Sequence, residues 1–242
     1  RLKKLVDDGV VDGWDDPRMP TLRGMRRRGY PAAAIRDFCT AIGTTRNNSV
    51  KAIEEFESFV RRELNRTALR RMAVLHPLRL VITNWPTDAA GVPAVEYVEL
   101  ANNPENPADG VRTVAFSGEL FIEADDFAEV PPPKFFRLSP GREVRLRGAY
   151  FVTATDVVRD AAGAVVAVNC TYDPATRGGD APDGRKVKST MHWVSAAHAV
   201  DADVALYERL FTAPAPGERT GEALDDLNPD SRHTLAGCKL EA

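Results

Sequence analysis

The residues best suited to chemistry in this sequence are arginines. In Lys134-Phe-Phe-Arg-Leu-Ser-Pro-Gly-Arg-Glu-Val-Arg-Leu-Arg147 a Ser-Pro-Gly turn separates Arg137 from an alternating stretch. A regular strand there turns Val144 and Leu146 to the core and Arg145 and Arg147 to the opposite face. Side chains two residues apart on a strand stand about 7 Å apart, so two guanidiniums on a rigid strand suit bidentate recognition of base edges or phosphates. The acids just before them, Glu119, Glu123, Asp125, Asp126 and Glu129, leave another use open: a surface network of ion pairs.

Other chemistries find less support. No phosphate-cradling GxxxxGK[ST], no GxGxxG after a strand, no HExxH and no GxSxG occurs. His192 and His198 share one side only if both lie in one continuous strand, and Trp193 and Val194 beside them read as core. No catalytic residue and no metal ligand is assigned. Asp15 and Asp16 could be paired carboxylates, yet Trp14-Asp-Asp-Pro17 reads equally as a turn whose carboxylates accept from backbone N–H groups.

The elements that must position these residues change character along the chain. Pro31 suits a helix first turn and Gly43 a stop, which predicts a helix over about 31–42. Asn48 or Ser49 can cap a second helix in which Val50, Ile53, Phe56, Val60 and Leu64 form one apolar stripe for the core. Before both, Thr21 to Arg28 reads as a short helix with Leu22 and Met25 inward and Arg23, Arg26 and Arg27 on the other flank.

After about residue 72 the period becomes strand-like. Strands are predicted at Leu78–Trp85, Val95–Ala101, Val111–Glu119, Glu143–Thr155, Val165–Tyr172, Arg185–Val194, Val204–Phe211 and Thr234–Leu240, with a hairpin turn at Asp160–Gly163. Two Pro- and Gly-rich loops, Asp173–Gly184 and Ala213–Asp230, read as exposed connections. The fold class is therefore mainly β with an N-terminal α-helical subdomain, its strands forming barrels or a sandwich.

The 242 residues are 43% hydrophobic and 28% charged, which excludes a disordered tail, and the longest small-apolar run, Ala161 to Val168, is too short to span a bilayer. No membrane partner is expected. Three scattered cysteines, Cys39, Cys170 and Cys238, point to a reducing compartment, the cytoplasm. The opening residues are not a signal peptide, and the missing initiator Met fits a fragment. The net charge of −3 hides an asymmetry: residues 1–71 carry 16 Lys and Arg against 10 Asp and Glu, or +6, and the remainder is −9. A basic block on an acidic chain is a candidate footprint for nucleic acid, with a solvated helical surface as the alternative.

A resemblance decides between them. Trp14-Asp-Asp-Pro-Arg-Met-Pro-Thr21, Arg26-Arg-Arg-Gly-Tyr30, Ile35-Arg-Asp-Phe-Cys39 and Ile42-Gly-Thr-Thr45 resemble the segment that follows the KMSKS-type loop in glutaminyl-tRNA synthetases. Phe116-Ser-Gly-Glu119, Arg145-Leu-Arg-Gly-Ala-Tyr150, Cys170-Thr-Tyr-Asp173, Asp183-Gly-Arg-Lys-Val-Lys188 and His192-Trp-Val-Ser-Ala-Ala-His198 look like the same family, so the resemblance covers essentially the whole chain.

The resemblance implies a helical connector on the inside of the tRNA L, residues 1–66, followed by two anticodon-binding β-barrels. Residues 67–129 with 211–242 would build the nearer barrel, left incomplete at its end, and 130–210 the farther one. It implies that Arg70, in Leu69-Arg-Arg-Met72, contacts the anticodon near the barrel junction, that Arg137, Arg145 and Arg147 bind its flanking bases, and that Arg46 and Asn47 line the same pocket. Arg23, Arg26 and Arg27 are expected to contact tRNA phosphates. The implied partner is tRNA(Gln), not DNA. ATP with Mg, and glutamine, belong by the same resemblance to a catalytic domain ahead of residue 1, so that these residues hold no cofactor and are inactive alone. The archaeal and eukaryotic-type glutamyl-tRNA synthetases share the Trp-Asp-Asp-Pro-Arg pattern and are one alternative; a non-catalytic protein-interaction module is another.

Overall fold

The computed structural model describes residues 2–44, 46 and 50–242. They divide into two compact units, Arg1–Ala68 with Ala205–Thr234, and Leu69–Val204 with Leu235–Ala242.

Among the described residues the first unit holds four α-helices: α1 (Leu2–Asp7), α2 (Leu22–Arg27), α3 (Ala32–Ile42) and α4 (Ile53–Thr67). Thr21 caps α2, its Oγ1 accepting from Gly24 N at 3.0 Å. Pro31 sits just ahead of α3, and Gly43 ends it with φ of 64°, a backbone that β-carbons disfavour. Helices α3 and α4 meet through Ala34, Phe56 and Val60, with Phe38 and Phe56 ring centroids 5.1 Å apart. A second cluster, Leu5, Val11, Met19 and Leu210, draws in Phe211, Leu224 and Leu227.

Three expectations for this unit change. The α4 stripe is shorter than the spacing suggested: the helix begins at Ile53, Val50 is 76% exposed ahead of it, and Ile53 is itself exposed. The proposed caps Asn48 and Ser49 lie outside the described residues. Leu22 points outward, because α2 packs through Gly24, where a β-carbon would come within 2.5 Å of the Asp16 carbonyl oxygen. The loop 213–230 is partly inside: Leu224 and Leu227 pack on the core, and buried Asp226 accepts from Gly217 N at 2.8 Å.

The second unit is built on a seven-stranded sheet. Its strands are β2 (Pro77–Ile82), β5 (Glu119–Glu123), β6 (Glu143–Leu146), β7 (Phe151–Arg159), β8 (Val165–Asp173), β9 (Thr190–Met191) and β10 (Val194–Ser195), in the order β10-β5-β2-β8-β7-β6-β9. The described pairings are antiparallel except β2 with β8 and β6 with β9. Strands β3 (Val95–Ala101) and β4 (Val111–Ser117) form a separate antiparallel pair, and β1 (Ala73–Val74) pairs with the end of β12 (Arg232–Leu240). The remaining strand, β11, spans Val200–Tyr207. Leu78, Leu80 and Ile82 on β2 are buried at alternate positions, as half-buried strands require. Inside stands a cluster of Trp85, Phe116, Tyr150, Tyr172 and Trp193, with Phe116 and Trp193 centroids 4.8 Å apart. The mainly β class with a helical N-terminal part is what the structure has.

Glycines divide two of the predicted strands. Val111–Glu119 ends at Ser117, and β5 starts after Gly118, whose place against the Trp85 ring leaves a β-carbon only 2.8 Å away. Glu143–Thr155 becomes two antiparallel strands, Glu143 opposite Thr153, folded at Gly148 with φ of 65°. Arg185–Val194 is mostly loop, with only β9 and β10 at its end. Strands β2 and β5 come from residues 67–129 and the other five from 130–210, so both stretches contribute to one sheet.

Candidate nucleic-acid interface

Arg145 and Arg147 are placed by the backbone. Val144 and Leu146 are fully buried, so alternation turns the two arginines to the other side, and it continues one residue past the end of β6 to reach Arg147. The Arg145 N–H donates to Ser189 O at 3.0 Å and the Arg147 N–H to Met191 O at 2.9 Å. The Arg147 carbonyl also accepts from Trp193 Nε1 at 3.0 Å. Both main-chain polar groups of Arg147 are thus committed to the core side, while its side chain is exposed.

The two side chains differ. Arg145 lies with its guanidinium carbon 5.4 Å from the centroid of the Phe151 ring, and its Nη2 is 3.3 Å from Asp180 Oδ1. Its Nε is buried and lacks a hydrogen-bond partner among the described residues. The same ring takes Arg185 at 5.4 Å. Arg185 in turn gathers three acids, with Nε 3.0 Å from Glu143 Oε2, Nη1 2.6 Å from Asp183 Oδ2, and Nη2 on Asp173. Glu143 foremost, then Asp173 and Asp183, hold the guanidinium above its ordinary pKa. The Arg185 side chain and the Ala175 N–H hold Asp173 below its ordinary pKa, and the Arg185 N–H and side chain do the same for Asp183. This hub ties the loop 174–189 to β6 and β8.

Arg137 follows the loop after β5, half exposed and paired with buried Asp126. Burial raises the Asp126 pKa, against the pull of Arg137 and His192. Arg70 opens the second unit, half buried, its N–H donating to Asn102 O at 2.6 Å. Arg46 is exposed at a bend in the first unit, and Asn47 lies outside the described residues. On α2, Arg23, Arg26 and Arg27 are all exposed, and Arg27 Nη1 is 3.1 Å from Asp15 Oδ2.

The histidines and paired acids take structural places. His192 Nε2 lies 2.8 Å from Ala73 O, and His198 Nδ1 lies 2.9 Å from Ser195 Oγ. No continuous strand joins them, since β10 ends at Ser195. Asp16 serves the turn, accepting from the N–H groups of Asp12 and Arg18 at 2.9 and 2.8 Å. The chain has none of the phosphate-cradling motifs, and among the described residues no three His, Cys, Asp or Glu side chains gather as a metal would need. The chemistry that the described geometry offers is that of arginines on and beside the sheet. Sequence reading missed Phe151 and the hub role of Arg185, and it placed Asp126 in a candidate surface network of ion pairs, whereas the carboxylate that meets Arg137 is buried. The signal for the hub was present, since Arg185 stands in Asp183-Gly-Arg-Lys-Val-Lys188, but its acids at Glu143 and Asp173 are remote in sequence.

Comparison with known proteins gives the arrangement a family. Two models described as tRNA synthetases class I (E and Q), anti-codon binding domain, match residues 68–173 and 190–242. The catalytic-domain model of the same group matches residues 1–66. The chain is 54% identical over 241 residues to a glutamine–tRNA ligase of Bradyrhizobium diazoefficiens, covering 100% of this chain and 42% of the relative. It is 52% identical over 237 residues to one of Rhodopirellula baltica, covering 97% and 39%, and 49% over 243 residues to one of Pseudomonas putida, covering 100% and 42%. The chain thus spans about two fifths of the length of these relatives. Matched along nearly its whole length by models of one group, and carrying outward arginines on a rigid sheet, the chain belongs to the class I tRNA synthetases (E and Q), whose anticodon-binding part it contains.

Proposed function

We propose that this chain is the anticodon-recognising part of a glutamine–tRNA ligase of the cytoplasm, which attaches glutamine to tRNA(Gln) with ATP. Anticodon bases are unstacked, single-stranded targets, read by stacking and by hydrogen bonds to their edges, and arginine supplies both. The observation that carries the reading is Arg147, whose N–H and carbonyl are both fixed while its guanidinium is left to solvent. Arg70, Arg137 and Arg145 join it in reading the anticodon, and Arg46 and Asn47 are further candidate contacts to the tRNA. Arg23, Arg26 and Arg27 hold phosphates without reading sequence. Residues 1–66 act as the helical connector, 67–129 with 211–242 as the nearer barrel and 130–210 as the farther one, the two stretches 67–129 and 130–210 sharing the seven-stranded sheet.

In this role the arginines bind and orient the tRNA, and activation of glutamine falls to the remainder of the protein. The test replaces Arg147 by Ala in the full-length protein and measures binding to tRNA(Gln) and to a transcript with a substituted anticodon. The expected loss is about 1–3 kcal/mol for the cognate tRNA only, with the melting temperature unchanged. Equal losses for both transcripts would overturn the reading of Arg147. The family description names E and Q together, so charging is measured with both amino acids, and attachment of glutamate in place of glutamine would overturn the choice of substrate.

A further inference from the structure

We infer that Asp126 is a positioning residue, holding the Arg137 guanidinium in one place and orientation on the surface without itself touching RNA. The inference rests on the reading of Arg137 as an anticodon contact. Asp126 ends the single 3-10 turn Ala124–Asp126 after β5 and is 4% exposed, whereas the Arg137 side chain is 50% exposed. Its Oδ1 accepts from Arg137 Nη1. Its Oδ2 is buried and has no hydrogen-bond partner among the described residues. A buried carboxylate in that state has no water to replace a lost partner, so the guanidinium is what compensates its charge.

The pairing is not an accident of two flexible side chains. The Leu138 N–H donates to the Asp126 carbonyl at 3.0 Å, the Ala128 N–H donates to the Leu138 carbonyl at 3.0 Å, and Phe127 and Leu138 form a parallel bridge. The backbone therefore brings Arg137 beside Asp126 before any side chain is placed. Only Nη1 is bound to the carboxylate, and the guanidinium carries five N–H donors in a fixed fork, so donors remain for a base or phosphate. Holding the fork in advance spares the rotamer freedom that a free arginine loses on binding.

Burial raises the Asp126 pKa from its ordinary value, with Arg137 and His192 opposing that rise and Glu123 adding to it. Protonation of Asp126 removes the charge that holds Arg137 and so releases it. Because His192 faces the same carboxylate, the pH response has to be read against variants.

The experiment uses the full-length protein, a tRNA(Gln) transcript and the same transcript with a substituted anticodon. Asp126→Asn, which keeps shape and removes charge, is expected to weaken cognate binding about tenfold, within the range of coupling between residues in contact. Arg137→Ala should weaken it at least as much, and the double variant no further than Arg137→Ala alone. Binding of the substituted transcript should be unaffected by Asp126→Asn. Wild-type cognate binding should fall as the pH is lowered and Asp126 takes up its proton, a step missing from Arg137→Ala; this comparison holds even if Asp126→Asn fails to fold. Losses that multiply in the double variant, or an Asp126→Asn variant that binds normally while Arg137→Ala does not, overturn the positioning role alone. Normal cognate binding by Arg137→Ala overturns the reading of Arg137 itself, and the positioning role with it.

Discussion

The side chains of Asp16 and Arg18 are joined at two points, Arg18 Nη2 lying 2.7 Å from Asp16 Oδ2 and Nε 3.0 Å from Oδ1. The carboxylate side chain is fully buried and the arginine side chain 10% exposed. Arg18 Nη1 also donates to Ser231 Oγ at 3.0 Å, which ties two distant stretches of the first unit together. Removing one member of a buried pair leaves the other charge uncompensated, which costs about 3–5 kcal/mol. Asp16→Ala is therefore expected to lower stability by that amount in urea unfolding, and a loss below about 1 kcal/mol, the scale of an exposed pair, would contradict it.

The same pair has a pH signature. Burial alone would raise the Asp16 pKa, but hydrogen bonds from the Arg18 side chain and from the Arg18 and Asp12 backbones outweigh it and bring the group from 3.8 to about 2. A folded-state pKa below the unfolded value means that the contribution is complete above the unfolded pKa and disappears as pH falls through the folded one. The expected contribution is about 2 kcal/mol, complete above about pH 4 and lost toward pH 2. Unfolding curves for wild type and Asp16→Asn, taken across that window, should converge at its acid end.

Much of this was legible in the sequence where partners are close together. The turn at Trp14 to Thr21, the helix ended by Gly43 and the alternation of Val144, Arg145, Leu146 and Arg147 all follow from local spacing. The breaks in the strands were not legible, because they depend on residues far along the chain: Gly118 makes room for Trp85, and Gly148 for Leu100. Leu22 faces outward for a related reason, since the close face of α2 is set by the Asp16 and Met19 carbonyls against Gly24. Local periodicity reports which side of an element is apolar, and it cannot report which neighbour needs a missing side chain.

Gly148 supplies a direct check. It has φ of 65°, and a β-carbon there would lie 2.2 Å from Leu100 Cδ2. Gly148→Ala adds backbone strain to a clash in the core, so it is expected to destabilise by about 2 kcal/mol or more. Thermal unfolding measures the loss. A variant as stable as wild type would mean that the turn between β6 and β7 relaxes without cost.

Arg185 organises the loop 174–189 through Glu143, Asp173 and Asp183. Replacing it by Ala leaves those three acids facing one another without a cation. Asp173 and Asp183 should then titrate closer to ordinary carboxylates, and the loop should be cleaved faster by a protease of broad specificity. Because Arg185 holds both acids low, its contribution is present above the ordinary carboxylate range and lost in acid. Wild-type protease resistance should therefore approach that of Arg185→Ala as the pH falls, and a constant difference would count against the hub.

Arg26 and Arg27 are neighbours at the end of α2 with unequal freedom, since Arg27 shares its charge with Asp15 at 3.1 Å. If both contact tRNA phosphates, as proposed, each releases counterions on binding, and the slope of log affinity against log salt changes by roughly 1 per contact. Arg26→Ala should flatten the slope by about that much and weaken cognate and anticodon-substituted tRNA equally. Asp15→Asn tests the other partner: with its carboxylate gone, Arg27 is free for phosphate, and affinity at low salt should rise for both tRNAs. Titrations at several salt concentrations measure both effects. A loss in Arg26→Ala confined to the cognate anticodon would make that arginine a base reader, and no gain in Asp15→Asn would mean that the ion pair does not compete with the phosphate.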